Sequence, residues 1–278
     1  RKFAPVSYRL DLHGEANEPG DPVQRDFLGI FSETSKVSKS SGSGRLELAD
    51  FLVSKENPLT ARVYVNRVWK WIFGRGLVAT PNDFGHLGEK PSHPELLDWL
   101  AKDFVRNGWS TKRLVRQLVS SRAFRQSGVV LGQALELDPD NRLLHHYSTR
   151  RLEAEAIRDS ILAVSGRLDR KLYGRPVEPP RVREHPPKRL FSGPRDGLGR
   201  RSIYLRVTMM ELPSFLTGFN FPDPKLSIGD RDATNAPAQA LQLLNDPFVA
   251  GQAGHWAKQL TLESGTFVGQ RVEHMFLR

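Results

Sequence analysis

The stretch Asn57-Pro58-Leu59-Thr60-Ala61-Arg62-Val63-Tyr64-Val65-Asn66-Arg67-Val68-Trp69-Lys70-Trp71-Ile72-Phe73 decides the fold class. Asn57-Pro58 reads as a cap and first-turn pair, and the run behind it is helical. Ala61, Tyr64, Val65, Val68 and Ile72 fall on one stripe, while Leu59, Val63 and Phe73 cover much of the other side. A helix apolar nearly all round belongs deep in a core. Gly74 and Gly76 end it. Its polar members, Arg62, Asn66 and Arg67, then need partners, because an unpaired buried charge costs several kcal/mol. Asp83 and Asp98 are the expected ones, and an anion site is the second reading, since Arg suits carboxylate and phosphate geometry.

Outward from this helix the pattern stays helical. Ser92-His93-Pro94-Glu95 fits a capping box for a helix carrying Leu97, Leu100, Ala101 and Phe104. Asn107-Gly108 closes it, and Ser110 can cap the next, with Leu114, Val115, Leu118 and Val119 on one face. A short helix is expected at 45–53, a strong one at about 150–164, and others near 211–218, 236–245 and 247–260. Residues 5–12 and 202–208 alternate like half-buried strands and are expected to pair. The fold class is thus mainly α, a multi-helix globular domain with a small two-stranded β element. Residues 1–44 read as an N-terminal arm and flexible linker, and 45–278 as the helical domain. Six prolines make about 173–200 an extended excursion.

Composition bounds the chemistry. The 278 residues contain no cysteine, which removes disulfides, thiolate nucleophiles and Cys-type zinc sites. No stretch approaches the roughly 20 apolar residues of a membrane span, and no signal pattern opens the chain. Both ends read as cuts through a longer protein. The net charge of +10 suggests an acidic partner, against the simpler reading of cations scattered for solubility.

Several motifs occur together. Asn57 to Val63, Asn66-Arg67-Val68-Trp69 and Phe73-Gly74-Arg75-Gly76-Leu77-Val78 lead to Thr80-Pro81-Asn82-Asp83-Phe84-Gly85 and His93-Pro94-Glu95-Leu96-Leu97-Asp98-Trp99-Leu100. Arg151-Leu152-Glu153-Ala154-Glu155-Ala156-Ile157-Arg158-Asp159 follows, then Asn235-Ala236-Pro237 and Leu243-Leu244-Asn245-Asp246-Pro247. From about residue 45 onward the chain resembles the C-terminal domain of large secreted planctomycete proteins, a domain of unknown function. In such proteins it follows a second planctomycete-specific domain and sometimes a cytochrome c-like segment. The resemblance implies an exported setting, periplasmic or in the cell envelope, and neighbouring domains of the same protein. It implies no reaction.

Candidate chemistry is sparse. Asp83, His86 and His93 could act as acid and base or bind a metal, but their spacing matches no ligand motif. Glu155 and Asp159, one turn apart, have the composition of a glycosidase pair, yet pairs on one helix more often form salt bridges, here with Arg151 and Arg158. The hairpin 95–107 and 110–121 resembles a helix-turn-helix with Lys112, Arg113, Arg116 and Gln117 toward DNA; an exported setting argues against nucleic acid. Gly193, Gly197 and Gly199 precede a strand pattern, the wrong order for a dinucleotide fold. His145 and His146 would diverge on a helix, which argues against joint metal ligation. No metal site and no cofactor are called for. The leading reading is a binding or scaffold module with anionic polysaccharide as partner; the alternatives are a glycan-directed hydrolase and, third, a nucleic-acid-binding domain.

Overall fold

The computed structural model describes residues 9–11, 17, 19–23, 42–181, 183–188, 190–263 and 267–277. Ten α-helices and two short strands run through them, so the chain is mainly helical. They divide into two compact units, one ending at Thr149 and the other beginning at Arg150. None of the described helices is long and apolar enough to cross a membrane.

The two-stranded element exists, but its partners differ from those expected. β1 (Arg9–Asp11) pairs antiparallel with β2 (Pro19–Pro22). Residues 5–8 and 12 of the expected strand, and 35–41 of the expected linker, lie outside the described residues. Ser202–Tyr204 is a 3-10 turn, and Leu205 makes a lone parallel bridge to Val177. The alternation there misleads because only Leu205 is buried, while Ile203 is 74% and Val207 40% exposed. A carboxylate, Asp159, takes the N–H of Ser202 and draws the chain into a turn.

In the first unit, α1 (Arg45–Leu52) precedes the central helix α2 (Thr60–Phe73). Asn57 Oδ1 accepts the N–H groups of Leu59 and Thr60, satisfying donors that the first turn leaves free. α3 (Pro94–Arg106) and α4 (Thr111–Val119) both pack on α2. Val65, Val68, Trp69 and Phe73 meet Leu97, Leu100, Phe104, Leu114 and Leu118 in one core. Tyr64 stacks on Phe104 at 5.1 Å, and Trp109 meets Phe104 edge-on at 5.3 Å. α2 keeps one outward ridge at Trp71. Gly74, at φ 90°, turns the chain out of the helix in a conformation that favours glycine. Ser110 Oγ accepts from Arg113 N as a cap, as the sequence indicates. A short helix, α5 (Gly132–Leu137), follows.

The second unit is organised by α6 (Ala154–Val164), which touches α7 (Ser214–Thr217), the turn at 202–204, and α9 (Pro247–Glu263). α8 (Pro237–Asn245) and α10 (Val268–Leu277) each pack on α9. Ala154, Leu162, Leu205, Phe215, Leu216, Phe219 and Phe248 make its core. α6 starts at Ala154 rather than near Arg150, because Arg151 is held in an extended segment by Thr234 O and Asn235 Oδ1. The described part of the 173–200 excursion folds back on itself through bridges at Val177–Leu205 and His185–Leu190.

Candidate functional site

The first-unit candidates sit in separate structural roles. Asp83 Oδ1 accepts Gly85 N–H at 2.8 Å, and its carbonyl accepts Thr80 Oγ1 at 2.8 Å, so Asp83 ties its own turn. His86 is exposed. His93 occupies the N-cap position of α3 without a side-chain cap bond; its Nδ1 lies 3.0 Å from Ser92 Oγ. The expected Ser92–Glu95 capping box does not form. Both Ser92 N–H and Ser92 Oγ point to Leu77 O, a partner fifteen residues away. Arg62 Nε donates to Asp98 Oδ1 at 2.6 Å and Nη1 to Pro58 O at 2.6 Å, which selects Asp98 of the two expected partners. Asn66, fully buried, donates Nδ2 to Val78 O at 2.9 Å and accepts Val78 N–H at 2.8 Å. Arg67 Nε is buried without a hydrogen-bond partner among the described residues. α4, the would-be recognition helix, buries Leu114 and Leu118, and its Arg113 lies 3.8 Å from Asp103.

The Arg62–Asp98 pair gives a pH prediction. The hydrogen bond from Arg62 is the main cause that holds the Asp98 carboxyl below its ordinary value of 3.8. A carboxylate with a depressed folded value adds stability above its unfolded value and loses it as pH falls through the folded one. Both side chains are partly exposed, so the effect is small. Asp98→Asn is expected to lower stability by under about 1 kcal/mol at neutral pH. Urea unfolding should show that deficit beginning to shrink as pH falls below about 4 and vanishing only once the pH lies below the depressed folded value.

In the second unit the four candidates on or beside α6 take different partners. Arg151, expected to meet Glu155, instead bonds Thr234 and Asn235 and lies over the Phe219 ring at 5.9 Å. Glu155 bonds Arg231 Nη1 at 2.7 Å, an arginine shared with Glu153 at 3.1 Å. Asp159 Oδ1 accepts both Ser202 N–H and Ser202 Oγ at 2.7 Å, and Arg158 and Arg201 each lie 3.6 Å from its carboxylate. Arg158, with its side chain 4% exposed, donates to Arg200 O, Ser202 Oγ and Asp196 O at 2.7–3.1 Å. Burial pushes its guanidinium below the ordinary arginine value, and Asp159 and Asp196 work against that. Among the described residues, no group of three or more His, Asp or Glu side chains is placed to hold a metal ion.

A cleft does form in this unit. A cavity of about 320 Å³ is lined by Pro180, Leu205, Phe215 and Phe248 together with Arg158, Arg181 and Arg195. Glu211 borders it and also a more open hollow carrying Arg183, His185, Lys188 and Met210. Arg181, its side chain only 1% exposed, joins the two walls. Its Nη1 lies 3.2 Å from Glu211 Oε2, and its Nε donates to Phe191 O. The flanking chain is strongly basic: residues 167–206 hold twelve Lys or Arg and four Asp or Glu. All four acids are bound internally. Asp169 pairs with Arg200, Glu178 with Arg206, and Asp196 with Arg167, while Glu184 accepts Ser192 N–H. Arg170, Lys171, Arg175, Arg183, Lys188 and Arg195 are exposed and make no ion pair among the described residues.

A family model described as "Protein of unknown function (DUF1553)", PSD1, matches residues 44–278. The chain belongs to the PSD1 family. No curated protein and no solved structure matches it. The PSD1 region includes the cleft and all ten candidate residues named from the sequence, and the family description carries no reaction. Sequence reasoning missed the cleft residues of the PSD1 region: Arg181, Arg183, Lys188 and Arg195, with Phe215 and Phe248. One signal was available. The net charge reads as scattered over the whole chain, but a forty-residue window at 167–206 shows it concentrated.

Proposed function

We propose that this region is a non-catalytic binding module of an exported protein, and that it holds an anionic polysaccharide along the 167–206 segment. The observation that carries the reading is a set of six exposed cations with no ion pair among the described residues, of which Arg195 lines the cavity and Arg183 and Lys188 the adjoining hollow. Exposed cations left without local acids recognise carboxylate or sulfate groups on a polymer, and arginine does so with two parallel bonds. The acids of α6 support the same reading. A glycoside hydrolase keeps one carboxyl protonated near neutrality beside a second carboxylate. Glu155 and Asp159 face Arg231 and Ser202 instead. Hydrogen bonds hold the carboxyls of Asp98, Asp138 and Asp169 below the ordinary carboxylate value, the opposite of what a general acid needs.

The test is binding of polygalacturonate and of a sulfated polysaccharide, measured at low and at high salt. Binding is expected at low salt, weakened about tenfold or more at high salt, because screening shortens the reach of exposed charges. The triple variant Arg183→Glu, Lys188→Glu, Arg195→Glu should weaken it about tenfold or more. Lys112→Glu with Arg116→Glu on α4 should leave it unchanged. Equal binding by the triple variant, or no binding at low salt, overturns the proposal. Retention of duplex DNA that depends on the α4 cations would transfer the function to that helix.

A further inference from the structure

We propose that His145 and His146 form a two-imidazole site for a late first-row divalent metal such as Zn²⁺, Ni²⁺ or Cu²⁺. The two Nδ1 atoms lie 3.3 Å apart, with ring centroids 4.5 Å apart and planes at 65°. Two nitrogens bound to one tetrahedral zinc at about 2.0–2.1 Å are separated by about 3.3 Å. On a helix neighbouring side chains diverge, but these two histidines lie in a loop.

That loop is firmly built. Asn141 and Leu144 hold positive φ values of 50° and 56°, a conformation that costs energy in residues with a side chain. Asp138 accepts the N–H groups of Arg142 and Leu143, and these bonds, Leu143's first, keep its carboxyl below the ordinary value. Asn141 Nδ2 donates to His146 O and Ser148 Oγ. The same loop sets the imidazole's tautomer. His145 Nε2 lies 3.1 Å from Asp138 O, which can only accept, so Nε2 carries the proton and Nδ1 presents a lone pair. In the metal-free protein His146 Nδ1–H donates to that lone pair. With metal bound, the His146 proton moves from Nδ1 to Nε2, and neither ring changes charge. Two nitrogen donors and no thiolate suit the imidazole-binding ions. The remaining coordination positions are left to water or to an added ligand.

The experiment uses the full chain with isotope-labelled histidine, titrated with Zn²⁺ and Ni²⁺ and read by ring-nitrogen NMR and calorimetry. One metal per chain is expected, with shifts confined to His145 and His146 and His146 converting to its Nε2–H form. His146→Gln and His145→Gln should each weaken binding at least tenfold with an unchanged thermal midpoint, while His255→Gln leaves it intact. A variant that does not fold is replaced by the tautomer readout on the wild type, which decides alone. Uptake spread over His86, His185 and His255, full retention in His146→Gln, or no tautomer change overturns the site.

Discussion

Replacing Arg158 with methionine is expected to destabilise the second unit by about 3–5 kcal/mol, the cost of removing one partner from a buried charge network. Methionine keeps an apolar stem of similar length, so the loss reports on the guanidinium. That group bonds two carbonyls, Arg200 O and Asp196 O, and the Ser202 hydroxyl, and lies 5.5 Å from the Phe248 ring centre. Without it, Asp196 O keeps the Gly199 N–H and Ser202 Oγ keeps Asp159, but Arg200 O loses its donor inside the protein, and an unsatisfied buried group costs about 1–3 kcal/mol. Gly197 shows how tightly the segment closes around it: a Cβ there would lie 2.6 Å from Arg158 Nη2. Arg158→Lys should recover little, since one ammonium cannot span the three acceptors. Guanidinium unfolding followed by circular dichroism checks this as a lower midpoint at unchanged slope.

Asn66→Ala is expected to cost about 2–4 kcal/mol, because both backbone groups of Val78 lose their partner in a site closed to water. Asn66→Asp should be at least as damaging. It keeps an acceptor for Val78 N–H, removes the donor to Val78 O, and places a carboxylate in the core. The chain after α2 is shaped to this clamp, for a Cβ on Gly76 would lie 2.9 Å from Asn66 Nδ2 and 2.4 Å from Val78 O. Amide exchange at Val78 gives a local readout. Its protection should fall in Asn66→Ala by more than that of amides in α4.

The helices were legible where burial alone sets them. The apolar stripe of α2, the Ser110 cap and the Asn57 bonds all arise from residues a few positions apart, and periodicity captures such contacts. Failures came where a distant partner claimed a local donor. Leu77 O takes Ser92, and the capping box is lost. Asp159, forty-three residues away, takes Ser202 N–H, and an apparent strand becomes a turn. Thr234 and Asn235 take Arg151, so α6 starts late and Glu155 turns to Arg231. The candidate site was half legible for the same reason. Glu155, Arg158 and Asp159 could be named from spacing, but their partners lie in segments no pattern links to α6. The charge at 167–206 was readable, yet which cations stay exposed depends on where Asp169, Glu178 and Asp196 turn.

Asp159 is the residue on which the role of α6 stands or falls. As a brace it fixes Ser202 twice and faces Arg158 and Arg201. The decisive measurement is the unfolding free energy of Asp159→Ala beside the wild type at neutral pH. A loss of about 2–3 kcal/mol is expected from unsatisfied Ser202 and a less compensated Arg158. A carboxylate held in place for chemistry commonly leaves the protein as stable, or more so, when it is removed. Unchanged or raised stability in Asp159→Ala would contradict the account.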